Sequence, residues 1–328
     1  MTKKTIWTTI SLVVAIALVW FAYGFSKRPQ TRDVTKVTVA QVGEFFIYMP
    51  LYIAQGKDLF RDEGLDVTII NTGGDEKSVA AVISGSADFG VGDPTFAAIA
   101  GLQGQDVKVV ASVVNGVPFW GVTKNPRVPE ITNPSQLRGF SVATFPSPST
   151  AFTLQSQMFR AGGLEPNIRQ AQFGTLLPLL DTRTVDIVLE LEPNVSTAVA
   201  GGAHVAYSMA QTYGDFAITG VTVAQKTITT RRGTVERFVR ALDRAEKFAH
   251  ANPDDAIAIA KVRFPSIPAA ITEQAMRRML EGHTYPTSAV ISNSAWRKAV
   301  KLRVDAAELP DIEKAIPFLD NSIAESIR

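Results

Sequence analysis

Four short segments of this chain hold residues whose chemistry suits capture of a small molecule. The first, just after Val42, carries Glu44, Phe45, Phe46 and Tyr48; the second carries Asp93 and Thr95. The third carries Ser147, Ser149 and Thr150, and the fourth Glu190 and Glu192. Aromatic faces stack on planar molecules, while hydroxyls and carboxylates orient them by hydrogen bonding. This mixture of acids and aromatics suits a planar, hydrogen-bonding or amine-bearing solute such as a pyrimidine or flavin-like ring. Cations are scarce among these segments. Lys124 and Arg183 are the nearest, so a small sulfonate or nitrate would find little positive charge. Each residue also has a plain structural role open to it. Asp93-Pro94-Thr95 has the form of a helix N-cap with proline in the first turn. The loop aromatics could instead pack beneath the following helix. The hydroxyls near Thr150 could cap a helix, or leave free N–H groups that attract an anion. Glu190 and Glu192, two apart on a strand, share one face, and carboxylates there are costly unless paired or solvated. Trp120 fits either a cleft wall or a core.

Covalent and metal chemistry find few residues. Cysteine is absent, which removes thiolate ligands, thiol nucleophiles, disulfides and a lipid-modified N-terminal cysteine. His204, His250 and His283 are scattered, without metal-ligand spacing. No Gly-x-Ser-x-Gly elbow or Walker loop occurs, and Gly101-Leu-Gln-Gly104 is too short to cradle phosphate. Asp93 and Glu190 could form a carboxylate pair, but acid–base catalysis requires a defined geometry. No enzyme activity, cofactor or metal is therefore expected. Lys and Arg total 33 against 31 Asp and Glu, and no basic stripe interleaves with aromatics, so nucleic acid is not an expected partner. Arg231, Arg232, Arg237 and Arg240 read as a solvated helix face.

The elements that must position these segments are α/β. The 328 residues, 46% of them hydrophobic, suffice for about two domains. Lys3 and Lys4 precede an uncharged apolar run over residues 5–26, which reads as a signal sequence or an uncleaved membrane anchor; cleavage near Ala22-Tyr23-Gly24 is the alternative. From residue 37, strands at 37–42, 65–70 and 87–93 alternate with helices expected at 50–64 and 76–84, the syntax of parallel βαβ units. The order returns with strands at 140–144, 168–173 and 185–192 and helices at 150–161 and 175–181. Gly116–Lys124 and 215–225, both extended and apolar, read as two crossings between lobes. A helix is expected over 234–249, broken by Asn252-Pro253. The expected division is a leader or anchor over 1–36, a first lobe over 37–120 and 221–328, and a second over 121–220. Open parallel sheets bind ligands beyond the carboxyl ends of their strands, which selects the four segments above.

The stretch Pro50-Leu-Tyr-Ile-Ala-Gln-Gly-Lys-Asp-Leu-Phe-Arg-Asp-Glu-Gly-Leu-Asp-Val67, followed by Gly85-Ser-Ala-Asp-Phe-Gly90, resembles the solute-binding proteins of the nitrate/sulfonate/taurine and thiamine-pyrimidine-precursor group. Asn133-Pro-Ser-Gln-Leu-Arg-Gly-Phe-Ser-Val-Ala143 is similar to that family's entry to its second lobe, and 237–256 to its C-terminal helices. The resemblance implies a periplasmic-binding-protein-like fold of the second type, with a solute clamped between two lobes. It further implies an ABC-importer subunit whose partners are a membrane permease and a cytoplasmic ATPase. The expected place is the periplasm or extracytoplasmic face, held at the inner membrane by the N-terminal segment. The solute would be a thiamine-precursor-like heteroaromatic; a sulfonate, nitrate or taurine is the alternative, as is a membrane-anchored sensor. A cysteine cluster marks a branch that synthesises the thiamine pyrimidine, and its absence here argues against that chemistry.

Overall fold

The computed structural model describes residues 34–327. The apolar run 5–26 lies outside them; among the described residues no helix is long and apolar enough to cross a membrane.

Ten strands form two five-stranded sheets with the same plan. In the first, β1 (Thr35–Gln41) lies between β2 (Leu65–Asn71) and β3 (Phe89–Gly92) and runs parallel to both. Beyond β3 comes an antiparallel strand, β10 (Asp215–Ala224), and then β4 (Val107–Gly116) at the edge. In the second, β6 (Val142–Thr144) lies between β7 (Ile168–Gln170) and β8 (Ile187–Glu190), again parallel to both. Beyond β8 come the antiparallel β5 (Trp120–Thr123) and the edge strand β9 (His204–Ser208). Each sheet therefore receives its antiparallel strand just after the chain has crossed from the other. The crossings are 117–119 and 209–214. Residues 215–225 read as a crossing in the sequence, but β10 pairs along its length with the first sheet, so the passage falls before it.

Burial explains the strand sequences. β4 and β10 bury nearly every residue and so read as apolar runs, because both faces are covered. The edge strand β2 buries Leu65 but exposes Asp66, Thr68 and Ile70, and its sequence alternates accordingly.

The helices that matter for the site are α1 (Met49–Gly56), α2 (Asp75–Ser84), α3 (Thr95–Leu102), α4 (Thr150–Ala161), α5 (Leu176–Asp181) and α6 (Asn194–Ala200), followed by α7 (Gln225–Ala251), α8 (Pro253–Arg263), α9 (Ala269–Glu281) and α10 (Asn293–Asp305). The helix expected to reach Gly64 ends at Gly56, because Asp58 adopts a left-handed φ of 56° before a short second turn. α7 begins earlier than expected, with Arg231 out of helical geometry (φ −134°, ψ 35°). Its Val235, Phe238, Val239, Leu242 and Ala245 recur at helical spacing and are all buried. Phe238 stacks between Phe60 and Phe89, at 5.0 and 4.0 Å between ring centroids, and so pins α7 to the first sheet. Among the last helices, α10 packs on β10 while α9 packs on α6 of the second sheet's layer.

Candidate ligand-binding site

A cavity of about 530 Å³ opens between the sheets, beyond the carboxyl ends of their parallel strands. Loops after β1, β2 and β3 line one wall, and loops after β6, β7 and β8 the other. Phe119 in the first crossing closes the back. Its aromatic rings form a chain: Tyr48 lies 6.0 Å from Phe45, Phe45 5.0 Å from Phe173, Phe173 6.0 Å from Phe145, and Phe145 6.2 Å from Phe119.

The polar side of the cavity is built around Arg303, near the end of α10 and only 1% exposed. One Nη donates to Asp93 Oδ2 at 2.7 Å and to Thr150 Oγ1 at 2.9 Å. The other donates to Glu308 Oε2 at 2.8 Å and to the Pro148 carbonyl at 3.0 Å, while Nε donates to Thr95 Oγ1 at 3.0 Å. Burial opposes the guanidinium charge, but Asp93 and Glu308 outweigh it and raise its pKa. Thr150 Oγ1 in turn donates to Asp93 Oδ2 at 2.7 Å. Arg303 and Asp93 belong to the first sheet's layer, Pro148 and Thr150 to the second's. This cluster therefore bridges the cleft.

Asp75, the first residue of α2, faces the same cluster. Its Oδ1 accepts the Asp93 backbone N–H at 2.7 Å. That approach requires Gly92, where a Cβ would collide with Asp75 Oδ1. Burial, then the neighbouring Asp93 charge, raises the Asp75 carboxyl to about 7. Burial, then Asp75, likewise pushes the Tyr48 phenol well above its ordinary value.

The sequence-selected residues divide into three groups. Phe45, Tyr48, Asp93, Ser149 and Thr150 line the cavity. Ser149 also caps α4 by accepting the Phe152 N–H. Thr95 stands behind the cavity, buried, bonded to Asp93 and Arg303. The others point elsewhere. Phe46 is core, stacked on Phe264 at 4.6 Å. Glu44 pairs with Arg263 at 2.7 Å on the rim. The Ser147 backbone N–H donates to Gln170, and its side chain does not line the cavity. Glu190 and Glu192 are fully buried away from it, where the expected shared strand face does not exist. β8 ends at Glu190, and the chain turns into α6. Glu190 accepts the Leu191 N–H and the Asn194 amide, and burial raises it to about 7. Glu192 takes Ser196 and, at 2.7 Å, Arg278 of α9. The fourth loop thus offers Leu191 to the cavity. Trp120 is buried and does not line the cavity, Lys124 pairs with Asp181 at 2.6 Å, and Arg183 lies outside the lining. Sequence reasoning missed Arg303, Asp75, Glu76, Gln172 and Phe173.

The NMT1/THI5-like family model matches residues 46–256, more than half of the chain. The chain belongs to this family. Over 324 residues this NMT1/THI5-like protein is 23% identical to YtlA of Bacillus subtilis (strain 168), a protein assigned by inference as a binding protein, with 95% of this chain and 96% of that one covered. Its fold is similar to that of SsuA from Xanthomonas axonopodis pv. citri, an alkanesulfonate-binding protein solved with MOPS bound: TM-score 0.66, 17% identity, 87% and 98% of the two chains covered. It is similar, too, to the periplasmic aliphatic sulphonate-binding SsuA of Escherichia coli (TM-score 0.68, 15% identity, 86% and 91% covered). The periplasmic nitrate-binding NrtA of Synechocystis PCC 6803 aligns at TM-score 0.69 and 12% identity, with 90% and 88% covered. The NMT1/THI5-like chain thus has the periplasmic-binding-protein fold expected of it. These relatives are named for binding, not for catalysis.

Proposed function

We propose that this chain is the extracytoplasmic solute-capturing subunit of an ABC importer, and that its solute is small, planar and neutral or cationic. The first part rests on the family, the fold and the cleft. The second rests on one observation: Arg303, the only cation among the described residues that line the cavity, is already used. Arg303 is saturated by Asp93, Glu308, two threonine hydroxyls and a carbonyl. The N-terminus of α4 is capped by Ser149, and the Thr150 hydroxyl is committed to Asp93. What remains facing the space is Asp75, Glu76, Gln172, a set of aromatic rings and the N-terminus of α2, where no side chain caps the backbone and Asp75 and Glu76 already supply negative charge. A buried anion without a counter-charge is strongly disfavoured, so sulfonate and nitrate fit poorly, although the structural relatives are named for them.

In this reading the two sheets and their helices are two lobes, and 117–119 with 209–214 is a paired hinge. A solute touching both walls stabilises the closed form by its higher affinity for that form. The closed protein then meets a permease, which an ATPase powers. Residues 5–26, retained as an anchor, would keep the subunit near that permease and raise its effective concentration there. Titration calorimetry on the purified chain, with 4-aminopyrimidine and benzylamine set against taurine, ethanesulfonate and nitrate, tests the solute class. Heat from an amine and none from the anions is expected. Tighter binding of any of the anions would sink it.

A further inference from the structure

A second cavity of about 310 Å³ adjoins the first, and the two share only Phe45 and Phe173 among their lining residues. Those two rings come from opposite sheets, in the loops after β1 and β7, and meet edge to face at 5.0 Å with an interplanar angle of 86°. They form the partition between an inner and an outer compartment. Phe45 is the fixed side. It is half-buried and braced against the buried Tyr48. Phe173 is the movable side, 48% exposed, and exposed rotamers exchange rapidly.

The outer compartment differs in chemistry from the inner one. The stacked Phe46 and Phe264 contribute aromatic surface and Pro193, Ile267 and Pro268 add apolar surface. Asn194, Thr197 and Ser266 supply uncharged polar groups, and the Glu44 charge is matched by Arg263. Its volume is at the lower end of ordinary ligand pockets, whereas the inner one is mid-range. A flat, uncharged aryl or alkyl group suits it.

We propose that the Phe45–Phe173 pair is the length-determining wall of the solute site: it confines a solute to the inner cavity and bars an aryl extension from the outer one. This rests on the reading of the inner cavity as the solute site. Truncating Phe173 joins the two compartments and admits a longer molecule.

The chain has no cysteine, so Leu191→Cys places a single thiol at the inner cavity, which Leu191 lines. The test is thiol–disulfide exchange at that thiol, with cystamine as the short probe and bis(4-phenylbenzyl) disulfide as the long one. Rates are compared in Leu191→Cys alone and in combination with Phe173→Ala or Phe173→Tyr. The long-probe rate, relative to cystamine, should rise about tenfold or more with Phe173→Ala, a pocket-sized discrimination. Phe173→Tyr, which keeps the ring, should leave that ratio low. An unchanged ratio in Phe173→Ala would overturn the wall, and so would a rise equally large in Phe173→Tyr. All variants share the inner cavity, so any recognition of the cystamine amines cancels in the change of ratio between them, and the outcome is independent of which solute class calorimetry favours.

Discussion

Replacing Arg303 with methionine keeps most of the side chain's length and removes its charge. The two carboxylates it serves respond differently. Glu308 is 25% exposed and can turn to water, so its loss of a partner costs little. Asp93 is 11% exposed, lies beside Asp75, and has nowhere to go. Stripping one partner from a buried ion pair costs about 3–5 kcal/mol. Thr95 and Thr150 still bond to Asp93, which puts the expected loss toward the lower end, about 3 kcal/mol. Adding Asp93→Asn to Arg303→Met removes the stranded charge and should restore about 2 kcal/mol, within the range of coupling between contacting residues. Urea unfolding at pH 7, followed through the fluorescence of the buried Trp120 and Trp296, reads both sheets' layers. A loss below about 1 kcal/mol in the single variant, or strict additivity in the double variant, would refute the claim that this guanidinium neutralises Asp93.

Three further outcomes are expected. The Asp75 pKa is higher folded (about 7) than its ordinary 3.8, so the folded state holds the extra proton. The stability this group contributes is full below the ordinary carboxylate range and is lost as pH rises through about 7. Thermal melts from pH 4 to 8 should therefore show a flatter profile for Asp75→Asn; an identical slope would be contrary. Glu246 is buried on α7 with no hydrogen-bond partner for either oxygen, and burial, then Asp243, holds its carboxyl well above the usual range. Glu246→Met should stabilise the protein by about 1–3 kcal/mol at pH 8, with a smaller gain at pH 5; denaturant midpoints at the two pH values decide this, and a loss at both would count against it. Gly92→Ala drives a Cβ into Asp75 and should cost about 1–3 kcal/mol, visible as a lowered melting temperature; an unchanged one would show that α2 shifts freely.

The architecture was more legible in the sequence than the chemistry. Apolar runs ending in Gly or Pro, separated by helices, mark all six parallel strands, because both propensity and periodicity are local. The missed cavity residues other than Arg303 share a cause. Asp75, Gln172 and Phe173 follow the edge strands β2 and β7, whereas the four segments that the sequence selects follow β1, β3, β6 and β8. Arg303 lies 210 residues from its partner Asp93, and nothing beside it in the sequence marks the pairing. A faint signal existed. Trp296, Ala299 and Val300 are buried on α10, and Arg303 continues that series at i+7, so a charge stood on the apolar stripe. Strand alternation does not hold for Glu190 and Glu192, because β8 stops at Glu190.

The late insertion of β10 into the first sheet bears on how the chain acquires its form. β3 and β4 flank a slot that stays empty until β10, about a hundred residues later, is available to fill it. Until then the growing polypeptide carries unsatisfied backbone edges in the middle of a sheet, a template for mispairing. The second sheet, whose strands all lie between residues 120 and 208, can finish first, but the first must wait for β10, so its maturation hinges on contacts distant in sequence, which form slowly. The delay prolongs the interval in which the polypeptide is a thread.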